Sequence, residues 1–422
     1  MKPSLVRWYL AAAVGACTFG CNSPTARVVS GSFLYWSSWL AAGGANERDE
    51  FVVAQLSDVA RVELLDYDGT TVSKSAIRPP DPTCDSSPLA LSSIDADADG
   101  LADVAVLDSG SCGNWVLHGV SGSTPVPVSW GSLGLPDVLP EPTLDWLPDS
   151  GVAGVSGLLM SSGPTDLTIL AQTSGTWALT DDNVLPDGTL LGPFDVSRTA
   201  VWIGYPGPDA NPHVFYQREA APVQIPLLGG NGSGLSWGTA TDYPQLDVEY
   251  LAPFDGLDQL MVVPGCPNTA VAVGHFSFPA GHPPRRLQLV KFGSDGWRSH
   301  EIDSTVEIST MAIVQSQYGP LLAVLGEENG QPLGLVAAFD TCEGLSWRAS
   351  IPLPGDFGKF SDPNTTFRHR MTNSILPIGA RGDVARFLTY DGQMVLVLSL
   401  VRTELDWSID LATFIPRPTT SI

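Results

Sequence analysis

Positive charge is scarce in this chain. Lys and Arg number 21 against 45 Asp and Glu, a formal charge of −24 over 422 residues. Phosphate surfaces are recognised through a basic footprint, so this balance opposes nucleic acid and anionic membrane as partners. Helical periodicity is also missing, because no segment carries a sustained run of apolar residues at 3.6-residue spacing. Beyond the N-terminal region no run is long and apolar enough to span a bilayer. Phosphate-cradling glycine loops are absent. The six histidines (His118, His213, His275, His282, His300 and His369) show no metal spacing and read as surface or strand residues. What remains is ample for a core: 43% of residues are hydrophobic and only 16% charged, which argues against disorder.

Cysteine is sparse too, and two of the six lie near the start. Lys2 and Arg7 precede an apolar stretch, Trp8 to Gly20, that is too short to cross a membrane. It ends in Val14-Gly-Ala-Cys17 and Thr18-Phe-Gly-Cys21, and resembles a bacterial lipoprotein signal. Val14 to Cys17 fits the usual acylation box better, whereas Cys21 gives the apolar core a better length. We take Cys21 as the acylated residue, with Cys17 as the alternative. This divides the chain into a leader over 1–20, a polar tether over 21–30 and a folded domain over 31–422. The expected address is the outer membrane or cell surface of a bacterium, with membrane contact through the lipid anchor alone. In an exported domain the remaining Cys84, Cys112, Cys266 and Cys342 favour disulfides. Cys84 and Cys112 flank an acidic loop, so a bridge there would tie the unit of strands that carries it; Cys266 with Cys342 then follows by elimination.

Glycine (43) and proline (35) are plentiful and spread along the chain, which calls for many short turns. Short apolar or alternating runs recur between them, such as Leu167-Thr-Ile-Leu-Ala171, Leu260-Met-Val-Val263 and Met394-Val-Leu-Val-Leu398. One turn type repeats, often followed by Trp. It occurs as Ser174-Gly-Thr-Trp177, Ser294-Asp-Gly-Trp297, Glu343-Gly-Leu-Ser-Trp347 and Thr403-Glu-Leu-Asp-Trp407. Tyr67-Asp-Gly-Thr70 and Ser121-Gly-Ser123 are members without Trp, and a seventh lies at Glu219-Ala-Ala221 or Gly234-Leu-Ser-Trp237. A period of roughly 50–60 residues holds four short strands. The expectation is all-β: a β-propeller of seven four-stranded blades, with the Trp series filling the gaps between neighbours.

The most informative stretch is Asp95-Ala-Asp-Ala-Asp-Gly-Leu-Ala-Asp103. Hard cations such as Ca²⁺ take six to eight oxygens, and carboxylates at Asp95, Asp97, Asp99 and Asp103 with the Leu101 carbonyl supply such a set. The opening matches an EF-hand loop, but the required Glu at position 12 is Val106, and a strand follows where a helix should. Ile94 to Val106 resembles an FG-GAP/VCBS repeat, the blade unit of integrin α-chain propellers. The Phe-Gly and Gly-Ala-Pro elements of that family are missing. The resemblance implies a structural Ca²⁺ bound by Asp95, Asp97, Asp99, Leu101 and Asp103, with partner binding left to other loops. Phe254-Asp-Gly-Leu-Asp258 keeps half of the pattern, making Asp255 and Asp258 a second, weaker candidate. Asn46-Glu-Arg-Asp49, Asp145 to Asp149 and Phe194-Asp195 read as eroded copies. Residues 27–40 and Trp407 to Leu411 are expected to share one blade and so close the ring.

Catalytic patterns are weak. Gly234-Leu-Ser-Trp-Gly238 formally matches a nucleophile elbow but lacks the helical continuation. Arg381-Gly-Asp383 reads as a turn rather than an adhesion motif, and Arg285-Arg286 and Arg368-His-Arg370 as polar loops. No pair of acids is singled out for glycoside chemistry. The expected function is a non-enzymatic, monomeric binding module for a protein or glycan. A propeller-fold enzyme of carbohydrate turnover and a structural envelope component are the alternatives.

Overall fold

The computed structural model describes residues 37–418 apart from 183–201, 205–212, 243–253, 277–284, 355–374 and shorter stretches of two to five residues, among them 100–102. The expected leader, Cys17, Cys21 and the tether lie outside the described residues.

Among the described residues, seven antiparallel sheets follow one another along the chain. The first holds β1 (Ser37–Gly43), β2 (Asp49–Gln55), β3 (Arg61–Tyr67) and β4 (Val72–Ile77). The second holds β5 (Pro88–Ile94), β6 (Asp103–Asp108), β7 (Trp115–His118) and β8 (Val126–Ser129). The third holds β9 (Thr143–Pro148), β10 (Gly157–Ser162), β11 (Leu167–Thr173) and β12 (Thr176–Asp182). The fourth holds β13 (Trp202–Gly204), β14 (His213–Arg218), β15 (Ala221–Asn231) and β16 (Gly234–Trp237), with β17 (Thr241–Asp242) also on β15. The fifth holds β18 (Phe254–Val262), β19 (Thr269–Phe276), β20 (Arg285–Gly293) and β21 (Gly296–Glu301). The sixth holds β22 (Glu307–Ser316), β23 (Gly319–Glu328), β24 (Gln331–Thr341) and β25 (Gly344–Pro352). The seventh holds β26 (Leu376–Arg381), β27 (Val384–Tyr390), β28 (Val395–Arg402) and β29 (Trp407–Phe414), after which β30 (Arg417–Pro418) pairs in parallel with β4. The one helical element among the described residues is a 3₁₀ turn, Trp130–Leu133.

The arrangement is propeller-like. First strands meet in order, β1 with β5, β5 with β9, β9 with β13, β13 with β18, β18 with β22 and β22 with β26, and β26 also meets β1. The cores described lie between successive sheets, first with second, second with third, fifth with sixth and sixth with seventh, which explains the strand sequences. A lone antiparallel sheet alternates apolar and polar residues, but β6 and most of β23 are buried throughout. On β6, Val104 and Val106 pack with Val62 and Leu64 of the first sheet, while Ala105 and Leu107 pack with Leu159 and Leu170 of the third. On β23, Leu322 and Val324 join the fifth sheet while Leu321, Ala323 and Leu325 join the seventh. A further cluster couples Leu65, Tyr67 and Val72 of the first sheet to Leu388, Tyr390 and Val397 of the seventh. Each CH₂ moved out of water in these clusters contributes about 0.8 kcal/mol before entropy is counted.

Three expectations are changed here. The first sheet takes all four strands from one continuous segment, so Trp407 to Leu411 does not share it; β29 belongs to the seventh sheet. The link back to the first sheet is the two-residue β30 instead. Asp255 and Asp258 lie inside β18, a first strand, rather than in a loop before a second strand. Asp145 likewise lies in β9. The fourth member of the turn series is settled by topology. The other turns join third to fourth strands, and in the fourth sheet that turn precedes Gly234-Leu-Ser-Trp237 on β16. The same placement puts Ser236 on a strand, with no strand-to-helix turn for a nucleophile elbow.

Candidate metal centre

The acidic loop joins β5 to β6. Ile94 at its start and Val104 beyond its end are buried apolar anchors, so the polar residues between them are pushed to the rim. Ala98 adopts a left-handed backbone, φ 62°. Asp99 N–H donates to Asp95 Oδ1 at 3.0 Å and to Asp97 Oδ1 at 3.3 Å, curling the loop around its own carboxylates. One oxygen from each of Asp95, Asp97 and Asp99 falls within 4.8 Å of the others, close enough to share one cation. Leu101 lies outside the described residues.

Asp103 is used differently. It is 1% exposed. Its Oδ2 accepts the Ala96 N–H at 2.9 Å, and its Oδ1 accepts the Gly119 N–H at 2.6 Å and faces His118 Nδ1 at 2.9 Å. Burial pushes this carboxyl above the usual carboxylate range, and the Gly119 and Ala96 amides and His118 partly offset it. With Asp103 ionised, the imidazole nitrogen facing it, Nδ1, is the one that carries the proton. Nε2 then stands 3.8 Å from Asp97 Oδ2.

The next sheet holds the loop from behind. Gln172 on β11 donates to the Asp95 carbonyl, and Trp177 on β12 donates its indole N–H to the Ala96 carbonyl at 2.8 Å. Gly175, φ +78°, carries the β11–β12 turn against Asp97; a Cβ there would stand 2.8 Å from the Asp97 carbonyl oxygen. These contacts fix the loop's backbone from one side without involving its outward carboxylates.

At the other end of β6, Asp108 accepts the Ser87 and Gly110 amides at 2.7 Å each, the Ser86 hydroxyl at 2.5 Å and the Trp115 indole at 3.3 Å. The Cys84–Cys112 disulfide lies beside it, with Cα atoms 5.1 Å apart. The second disulfide, Cys266–Cys342, joins the β18–β19 turn of the fifth sheet to the β24–β25 turn of the sixth, Cα atoms 5.2 Å apart.

Sequence reasoning set His118 aside; the structure brings it to Asp97 and Asp103 from β7, fifteen residues beyond Asp103. Gln172, 77 residues from Asp95, left no sequence signal. Gly175 and Trp177 were visible as a repeated turn, but not as the support of this loop. Asp383 of the Arg-Gly-Asp tripeptide accepts hydrogen bonds from the Tyr318 hydroxyl and the Gln317 amide, which engages it within the fold.

No protein-family model matches the sequence, and no curated protein matches it. Solved structures do. An Aleuria aurantia lectin in complex with Fucα1-6GlcNAc is similar at 11% identity and TM-score 0.42, over 92% of this chain and 98% of that one. A putative 6-phosphogluconolactonase from Bacteroides uniformis is similar at 13% identity and TM-score 0.45, over 90% and 96%. A Lactobacillus plantarum protein is similar at 13% identity and TM-score 0.46, over 91% and 97%.

Proposed function

We propose that this chain is an exported, lipid-anchored, seven-bladed β-propeller that serves as a monomeric binding module, braced by one structural Ca²⁺ in the acidic loop of its second blade. The sequential contacts of the seven first strands and the cores between consecutive sheets support the propeller reading. Its closing seam is supported by β30 on β4 and by buried Glu63, which accepts the Tyr390 hydroxyl at 3.0 Å and lies 3.6 Å from Lys74 Nζ. The lipid anchor rests on Cys21 and the leader pattern alone.

One observation carries the calcium reading. Asp95, Asp97 and Asp99 converge on the outward side of a loop whose backbone is held by Gln172 and Trp177. Three like charges so close repel one another unless a cation intervenes. A cation that binds only the folded state stabilises it by about 2.7 kcal/mol at a concentration 100 times its Kd. Calcium is therefore expected to raise the melting temperature, and Asp97→Ala to remove most of the rise. A melting curve unmoved by calcium and by chelator sinks the idea.

The partner is a protein or glycan held by rim loops, since catalytic motifs are weak and loops on a rigid scaffold carry recognition. A pull-down with the delipidated mature domain, with and without calcium, tests this. Steady turnover of a polysaccharide by the purified domain would replace the binding-module reading with an enzymatic one.

A further inference from the structure

We infer that His118 forms a second, nitrogen-bearing metal position beside the acidic loop, one that takes a borderline divalent ion such as Zn²⁺. The inference deepens the calcium reading but does not depend on it, because its key ligand lies on another strand.

His118 is the last residue of β7, and its side chain is about one-third exposed, at 34%, so an ion reaches it from solvent. Its Nδ1–H is spent on Asp103, a carboxylate 1% exposed and fixed by two backbone amides. A buried carboxylate that takes one ring N–H fixes the tautomer and raises the basicity of the other nitrogen, as metal-ligating histidines ordinarily require. Nε2 is the nitrogen so presented, and Asp97 Oδ2 lies 3.8 Å from it. Two ligands each about 2.1 Å from one ion stand roughly 3–4 Å apart, so this pair spans a single Zn²⁺ with little movement. Water completes the shell. Imidazole nitrogen selects zinc-like ions, while the all-oxygen set of Asp95, Asp97 and Asp99 selects calcium. Asp97 is common to both positions, so each ion is expected to weaken the other.

The test titrates Zn²⁺ alone into the chelator-stripped mature domain by calorimetry, and follows melting with Ca²⁺ alone in parallel. His118→Gln is expected to weaken zinc at least tenfold and leave the calcium shift intact. Asp99→Asn is expected to do the reverse, and saturating calcium to lower zinc affinity in the wild type. The inference is overturned if the wild-type domain takes no zinc, or if His118→Gln binds it as well as the wild type, which marks other histidines or adventitious zinc. Loss of zinc in His118→Gln, in a protein whose melting calcium never moves, upholds the His118 position while the calcium reading fails.

Discussion

The junction between the second and third sheets and the junction between the fifth and sixth solve one problem by different chemistry. In both, the turn joining first and second strands of one sheet meets the turn joining third and fourth strands of the next. Between the fifth and sixth sheets the contact is covalent, Cys266 to Cys342, and Thr269 Oγ1 adds a hydrogen bond to the Cys342 carbonyl at 3.3 Å. Between the second and third it consists of Gln172 and Trp177 on backbone carbonyls, with an acidic loop curled in front. The sixth and seventh sheets use a third solution. There the Arg402 guanidinium lies 5.4 Å from the Tyr318 ring and 5.5 Å from the Trp407 ring. A disulfide holds in any ionic medium outside the cell. A loop of clustered carboxylates holds best with a cation present. On the calcium proposal, the same fold position is unconditional at one place and solute-dependent at another.

Breaking the junctions one at a time should rank them. Replacing Cys266 and Cys342 together by Ser is expected to cost the most, up to about 4 kcal/mol for a bridge closing a loop of this length. Denaturant unfolding measures it, and the loss should be the same with and without calcium. Withdrawing calcium, or Asp97→Ala in its presence, comes next, at the 2.7 kcal/mol scale given above for a well-saturated site. Trp177→Phe removes the hydrogen bond to the Ala96 carbonyl and should cost about 1 kcal/mol. It should also blunt the calcium response, because the loop loses support from behind. If Trp177→Phe leaves the calcium shift untouched, the third sheet does not organise the loop and the comparison is wrong there. Arg402→Ala should cost about 1 kcal/mol at this partly buried stack, with the calcium response unchanged.

Much of this comparison was written in local sequence. The turn series marked third-to-fourth connections in each sheet, because glycine and acidic residues at a tight turn announce themselves within four residues. The acidic loop was legible for the same reason: its carboxylates lie within nine residues of one another. What stayed hidden acts across sheets or between strands of one sheet. Gln172 belongs to Asp95 only because two sheets stack, and nothing near residue 172 encodes that. His118 carries no partner at metal spacing; its neighbours are chosen by the β6–β7 pairing. The mistaken sharing of a blade by the C-terminal strand came from expecting the sheet edge to be removed within one blade. The chain instead builds each sheet from a continuous segment and reaches back with β30. Asp255 and Asp258 misled because a short acidic motif keeps its spelling when it moves from a loop into a strand.

The first sheet offers the mildest test, since the polar side chains of its third-to-fourth turn bond within the turn itself. Asp68 Oδ1 accepts the Thr70 N–H at 2.9 Å, the Thr71 N–H at 2.7 Å and the Thr70 hydroxyl at 2.8 Å, while Oδ2 accepts the Thr71 hydroxyl at 2.9 Å. These bonds, the Thr70 amide foremost, hold its carboxyl well below the usual carboxylate range. A folded pKa below the unfolded one stabilises the native state above the unfolded value, about pH 4, and that stabilisation fades as pH falls towards the folded value. Asp68→Asn should therefore be less stable than the wild type by a few tenths of a kcal/mol at neutral pH, the turn being exposed. The gap should narrow steadily below about pH 4. Chemical denaturation of both proteins between neutral and acid pH measures it. A gap that widens in acid would reverse the sign and mean that Asp68 is not held ionised by its turn. Because this turn answers to protons alone, calcium should leave the gap unchanged at every pH, which separates a self-contained turn from one shared between sheets.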